Sequence, residues 1–188
     1  LAGPGSGKTL TIVNRIKYLI EKRKVRPEEI LVITFTKYAA AEMKLRLKAL
    51  TEGRNLPVVA GTFHGIYYGI LKWAYRFGPQ NIFSEEEKLN LLNQIVSHQE
   101  ELEIEDGEDF IRQAVGEISI VKNNRVDLDA YQAKCCAPDI FRKIYEEYET
   151  GRKQLKKIDF DDMLVLCHEL FIKRPDMLAA WQKKFRYI

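Results

Sequence analysis

From residue 8 onward, apolar side chains return every three or four positions, and Ile12, Ile16, Leu19 and Ile20 fall on one face. That spacing predicts an amphipathic helix entered from a glycine-rich turn. The pattern then changes. Residues 28–36 (EEILVITFT) form a short β-branched run bounded by polar positions, and residues 57–63 (PVVAGTF) form a second, so both read as buried parallel strands. Between them, residues 39–50 place Met43, Leu47 and Leu50 on one helical face, and residues 63–75 place Ile66, Ile70 and Trp73 on another. Strand, helix, strand, helix after a loop predicts a doubly wound α/β sheet.

Past Gly78-Pro79 the strand-like runs stop. Ser84 with Glu87 three residues later is a capping box opening a helix, and residues 110–121, 127–133 and 138–155 are further amphipathic segments. Residues 77–157 therefore read as an all-helical inserted subdomain in an α/β frame formed by 1–76 and 158–188. The frame resumes with helices at 160–171 and 175–185, and the closing Arg186-Tyr187-Ile188 reads as the first residues of a strand.

Composition adds limits rather than identity. With 46% hydrophobic residues the chain can bury a sizeable core. No apolar run reaches the roughly 18 residues that would span a bilayer, so no membrane association is expected and a cytoplasmic location is the default. Three cysteines, Cys135, Cys136 and Cys167, match neither a disulfide framework nor zinc spacing and read as reduced thiols. The net charge of +3 hides an asymmetry: residues 1–80 carry 14 Lys/Arg against 5 Asp/Glu, whereas residues 81–110 carry 1 against 10. A basic first part suits a polyanionic partner, although solvated helix faces account for the same blocks.

The opening LAGPGSGKT carries the most specific chemistry. It fits the phosphate-loop pattern G-x-x-x-x-G-K-[ST], with Ala2 at the first glycine position. Gly3, Gly5 and Gly7 allow backbone N–H groups to turn inward as a cradle for anionic oxygens, with Ser6 inside it. Lys8 supplies a point charge for the terminal phosphates, and the Thr9 hydroxyl is the expected Mg²⁺ ligand. ATP and Mg²⁺ are the expected cofactors, with Lys8 and Thr9 the residues closest to the chemistry.

Two further stretches, ITFTKYAAAEM (33–43) and GTFHG (61–65), follow that loop at distances that closely resemble the single-strand-contacting motifs of UvrD/Rep/PcrA-type DNA helicases. IDFDDML (158–164) and KKFRYI (183–188) resemble the approach to that family's next signature. The resemblance extends over the whole chain. It implies a P-loop NTPase (RecA-like) parallel sheet flanked by helices, incomplete in this chain, with the helical insertion described above. It implies an ATP-dependent DNA helicase that moves 3′→5′ on single-stranded DNA and unwinds duplex DNA, in repair or replication, against a second RecA-like domain. The DNA contacts it implies are Thr34, Phe35, Thr36, Lys37, Thr62, Phe63 and His64. In relatives an acidic metal-binding segment follows the position of Ile188. The chain is therefore expected to be a monomeric fragment, inactive by itself. Two positions depart from the family pattern: Lys37-Tyr38 stand where Asn-Lys is usual, and Leu10 stands where an arginine is common.

The residues support this reading independently. Aromatics at the carboxyl edge of an open α/β sheet offer stacking platforms for bases, and threonine hydroxyls there offer donors to phosphate oxygens. By itself Phe35 would read as a core phenylalanine closing a strand. Asp159, Asp161 and Asp162 invite comparison with a two-carboxylate site, yet acidic residues at a helix start ordinarily cap it. The tyrosine- and glutamate-rich helix 138–155 reads as packing plus solvated surface. The alternatives are a small-molecule phosphotransferase, a subunit of a helicase-nuclease, and a non-catalytic nucleic-acid-binding module.

Overall fold

A computed structural model describes residues 7–99 and 106–188, which divide into two compact units. One comprises the chain up to Gly69 together with Leu170–Ile188, and the other is the contiguous segment Ile70–Glu169. The division falls within two continuous helices, α3 (Phe63–Tyr75) and α7 (Phe160–Lys173).

The first unit is a small α/β layer. Helix α1 (Lys8–Glu21) is followed by a 3₁₀ turn at Pro27–Glu29, strand β1 (Leu31–Thr34), helix α2 (Lys37–Leu50) and strand β2 (Val59–Thr62). The two strands pair in parallel, from Leu31 opposite Val59 to Thr34 opposite Thr62, as a strand–helix–strand crossover requires. Helix α8 (Pro175–Lys184) precedes a return to this sheet: Tyr187 forms a parallel bridge with Ile30, its carbonyl accepting from the Leu31 N–H at 2.8 Å. The expected strand start at 186–188 is therefore present as a bridge on the side of β1 away from β2.

The core of this unit joins Val13, Ile16 and Leu19 of α1 to Ile30, Val32, Leu47 and Val58. Met43 and Leu50 pack against it as their spacing predicts. The α1 stripe is rotated from the expected one, because Val13 is fully buried while Ile12 is 43% exposed. A helix period alone leaves adjacent β-branched residues at 12 and 13 indistinguishable; the position of β1 selects between them. The expected strands are also shorter, because Pro27 starts a tight turn and Phe63 already begins α3.

The second unit is helical. Along with the parts of α3 and α7 that fall in it, it contains α4 (Glu85–Ser97), α5 (Gly107–Asn124) and α6 (Pro138–Gln154), built around Phe83, Leu92, Ile111, Ala114, Ile118, Phe141, Ile144 and Tyr148. The α4 capping box forms as predicted: Ser84 Oγ accepts from the Glu87 N–H at 3.1 Å, and Glu87 Oε2 accepts from the Ser84 N–H at 3.0 Å. Asp106 caps α5 through the Glu108 and Asp109 N–H groups, and Pro138 opens α6, where its missing donor costs nothing. Two expectations change here. Residues 127–133 hold a turn at 128–130 rather than a helix, with Asp127 accepting from the Asp129 N–H, the local competition by which aspartate disfavours a helix. On α3 the buried positions are Ile70 and Leu71, and Trp73 is 65% exposed.

Candidate nucleotide and nucleic-acid site

Gly7 is the N-cap of α1 and adopts the left-handed conformation (φ 78°, ψ 14°), and among the described residues nothing beyond its own chain neighbours and helix backbone lies within 4 Å of where a Cβ would stand. Glycine suits this corner because other residues pay a steric penalty there. Lys8 is the first helical residue and is exposed, and Thr9 behind it is half-buried. Among the described residues no side chain caps this end of α1, and its first turn carries no acidic residue. Its leading N–H groups thus keep the partial positive charge of a helix N-terminus, which fits an anionic group such as a phosphate. Gly3, Gly5 and Ser6 lie outside the described residues.

The carboxyl ends of β1 and β2 lie side by side because Thr34 and Thr62 are register partners. Immediately beyond β1, Phe35 is 91% exposed, and its ring centroid lies 5.6 Å from that of Phe63 at 48°. Phe63 in turn lies 6.3 Å from Tyr67, one helical turn further along α3. The threonines shape these turns. Thr34 Oγ1 donates to the Thr36 carbonyl at 2.9 Å, Thr36 Oγ1 caps α2 by accepting from the Ala39 N–H at 3.1 Å, and Thr62 Oγ1 accepts from the Gly65 N–H at 3.1 Å. The two capping oxygens are acceptors in these bonds, so their hydroxyl protons remain to be donated outward. Lys37 opens α2 from an exposed position, Tyr38 beside it is 78% exposed, and His64 is half-buried at the start of α3.

An open cleft of about 810 Å³ in the same unit is lined by Ile12, Arg15, Val32, Ile33, Phe63 and Arg186, among others. This explains why Ile12 is left exposed. Sequence reasoning missed Tyr67 as a neighbour of Phe63; the signal was its position four residues on in a helix, where side chains meet.

The acidic run at 159–162 has a structural role. Asp159 and Asp162 bond each other's backbone: the Asp162 N–H donates to Asp159 Oδ1 at 2.8 Å, and the Asp159 N–H to Asp162 Oδ2 at 2.9 Å. Lys122 Nζ from α5 lies 2.8 Å from Asp159, 2.8 Å from Asp162 and 3.0 Å from Glu149 of α6. Arg152 reaches Glu149 at 2.6 Å and Asp162 at 3.1 Å, and the Tyr148 hydroxyl donates to Asp159 at 2.9 Å. Burial opposes the Lys122 ammonium, but Asp162, Asp159 and Glu149 outweigh it and push its pKa up to about 12. Burial also opposes the Asp159 carboxylate, and Lys122 nonetheless holds its pKa down, to about 2. Asp162 is pushed up to about 6 chiefly by burial, against the attraction of Lys122, which Asp159 beside it offsets in part. The tyrosine- and glutamate-rich helix thus supplies buried polar groups as well as surface. Among the described residues, no group of three or more His, Cys, Asp and Glu is arranged to hold a metal ion, and no helix is long and apolar enough to cross a membrane.

Comparison with known proteins gives consistent matches. The UvrD/REP helicase N-terminal domain family matches residues 1–188. The chain is 34% identical over 197 residues to the putative ATP-dependent DNA helicase YjcD of Bacillus subtilis, covering all of this chain and 25% of that protein. It is 31% identical over 198 residues to the ATP-dependent DNA helicase PcrA of Leuconostoc citreum, and 32% identical over 201 residues to a probable DNA helicase II homologue of Rickettsia felis. These matches also cover all of this chain, and 26% and 29% of the relatives. The chain thus spans about a quarter of the length of the relatives it matches.

Proposed function

This chain belongs to the UvrD/REP helicase N-terminal domain family, and on that footing we propose that the intact protein is an ATP-dependent DNA helicase, to which these residues contribute nucleotide and single-strand contacts. The first unit is read as part of a RecA-like P-loop domain and the second as its helical insertion.

In this reading the backbone N–H groups that follow Gly7 and the Lys8 ammonium bind and orient the phosphates. The Thr9 hydroxyl is the Mg²⁺ ligand. Bound Mg²⁺–ATP supplies the free energy of phosphoryl transfer, which in this reaction class depends on positioning and charge stabilisation rather than on protein nucleophiles. The groups that orient the attacking water and complete the metal site are proposed to lie on segments that relatives carry beyond this chain. Residues 1–188 alone are accordingly expected to show negligible turnover.

Phe35 and Phe63 stack on unpaired bases, while Thr36, Thr62 and Lys37 donate to the phosphates between them. Thr34 holds the turn that presents Phe35, and His64 donates to a phosphate or a base edge. Movement is 3′→5′ as the strand passes between this unit and a second RecA-like domain, in repair or replication.

The observation that most supports this reading is the exposed Phe35 ring beside Phe63 at the carboxyl ends of paired strands. A packing role would bury it, whereas stacking on bases requires it to be open. The test is ATP hydrolysis by the intact protein with and without single-stranded DNA, and unwinding of duplexes bearing 3′ or 5′ tails. Expected are stimulation by DNA, loss of hydrolysis in Lys8→Ala, and unwinding from 3′ tails. Salt-sensitive DNA binding without stimulated hydrolysis would instead identify a non-catalytic module. DNA-stimulated hydrolysis by residues 1–188 alone would show that the further segments relatives carry are not required.

A further inference from the structure

Cys135 and Cys136 occupy the bend just before α6, with their Sγ atoms 3.9 Å apart. Consecutive residues on an extended chain point to opposite sides; this bend brings both thiols to one side. Both are half-buried free thiols packed against the core of the helical unit. The bend is anchored to α5: buried Glu117 accepts from the Tyr131 hydroxyl and, at 3.3 Å, from the Lys134 N–H.

We propose that Cys135 and Cys136 form a preorganised dithiol site for trivalent arsenicals. Two thiols that already face each other pay little ordering entropy to close on one atom, which is the advantage of a chelate over two separate ligands. An S–S bond is a poorer outcome for this pair. It requires the sulfurs to approach to about 2.05 Å between Cα atoms about 3.8 Å apart, below the usual disulfide span of about 4.4–6.8 Å. A disulfide strained in that way is readily reduced, so the pair stays as two thiols in a glutathione-buffered compartment. A single arsenic atom bridging the sulfurs leaves them further apart and relieves that constraint. Burial, with the neighbouring sulfur and Glu117, pushes the Cys135 thiol up to about 12, and burial raises Cys136 as well. The thiols are therefore protonated and slow toward alkylating agents that need thiolate.

The chemistry is a condensation. In R–As=O, the two arsenic–oxygen bonding pairs are replaced by two As–S bonds, and both thiol protons leave with the oxygen as one water. Arsenic stays trivalent, so no oxidant or reductant is consumed.

The test uses the intact protein, reduced and then freed of reductant, with phenylarsine oxide as the probe. The expected result is one equivalent recovered on the tryptic peptide 135–142 after native-state labelling. It should withstand excess 2-mercaptoethanol and be released by 2,3-dimercaptopropanol. Cys135→Ser and Cys136→Ser each retain one thiol and are expected to lose the adduct at least tenfold more readily to the monothiol. Because any adjacent pair can bind once unfolded, the labelling rate in buffer is compared with the rate of global unfolding. Half-buried, protonated thiols react more slowly than those of the unfolded chain, so the reference is the unfolding rate: native labelling faster than global unfolding supports the site, and native labelling only at the rate of unfolding overturns it. An adduct equally resistant in either serine variant, or none on peptide 135–142, also overturns it. The wild-type rate comparison decides the matter even if a serine variant fails to fold.

Discussion

Replacing Lys122 by methionine keeps the unbranched side chain and removes the charge at the centre of the buried network. The Lys122 side chain is 5% exposed and its ammonium bonds Asp159, Asp162 and Glu149 within 2.8–3.0 Å. Removing one partner of a buried ion pair costs about 3–5 kcal/mol, because the remaining charge is desolvated without compensation. Arg152 still bonds Glu149 and Asp162, so the uncompensated carboxylate is chiefly that of Asp159, and the lower end of that range applies. For a unit of this size about 3 kcal/mol corresponds to a fall in Tm on the order of 12 °C or more. Thermal and urea unfolding followed by circular dichroism measure it. Asp159→Asn added to Lys122→Met removes the stranded charge while keeping the oxygen that accepts from the Asp162 N–H, so the double variant is expected to be more stable than Lys122→Met alone.

The pH dependence follows from the depressed Asp159 pKa. Asp159 contributes stability above its unfolded value of 3.8, and that contribution is lost as pH falls toward about 2. Without Lys122 the depression disappears, so the gap between wild type and variant narrows as pH falls through this window. A Lys122→Met loss below about 1 kcal/mol, or a gap that widens in acid, would refute the account of a lysine holding buried carboxylates in charge balance.

Asp162 titrates in the opposite sense. Its pKa is raised from 3.8 to about 6, so the stability it gives is full below 3.8 and is lost as pH rises through about 6. Asp162→Asn is expected to remove that slope between these limits in unfolding midpoints measured by pH titration; identical slopes would count against it. For the proposed interface, Phe35→Ala is expected to weaken single-strand binding by roughly 5- to 150-fold, from ~1–3 kcal/mol per stacked base, as read by fluorescence anisotropy. Unchanged affinity would remove Phe35 from the interface.

Much of this arrangement was legible because local signals agreed with the tertiary outcome. Ser84 and Glu87 form their box because both bonds lie within one helical turn. The strand cores at 31–34 and 59–62 were readable from short β-branched runs. What failed required information from distant residues. Val13 rather than Ile12 faces the core because of where β1 lies, and Trp73 is exposed although its spacing matches Ile66 and Ile70. The Asp159–Asp162 capping was legible from composition at a helix start. Its neutralisation by Lys122, 37 residues earlier, was not. At the candidate interface the residue types were readable, but the exposure of Phe35 and the approach of Tyr67 to Phe63 required coordinates.

The bridge between Ile30 and Tyr187 has a consequence for biogenesis. The sheet receives its contribution on that side from a residue made more than 150 positions later, whereas Ile70–Glu169 is contiguous. During vectorial synthesis the helical segment has all its own residues available before the first unit does. The early strands must wait with that flank of β1 unpaired while a long loop is closed, which slows their consolidation. Until then the exposed flank is where a nascent chain is most prone to pair with a neighbour, so chaperone demand should concentrate on the first seventy residues rather than on the helices.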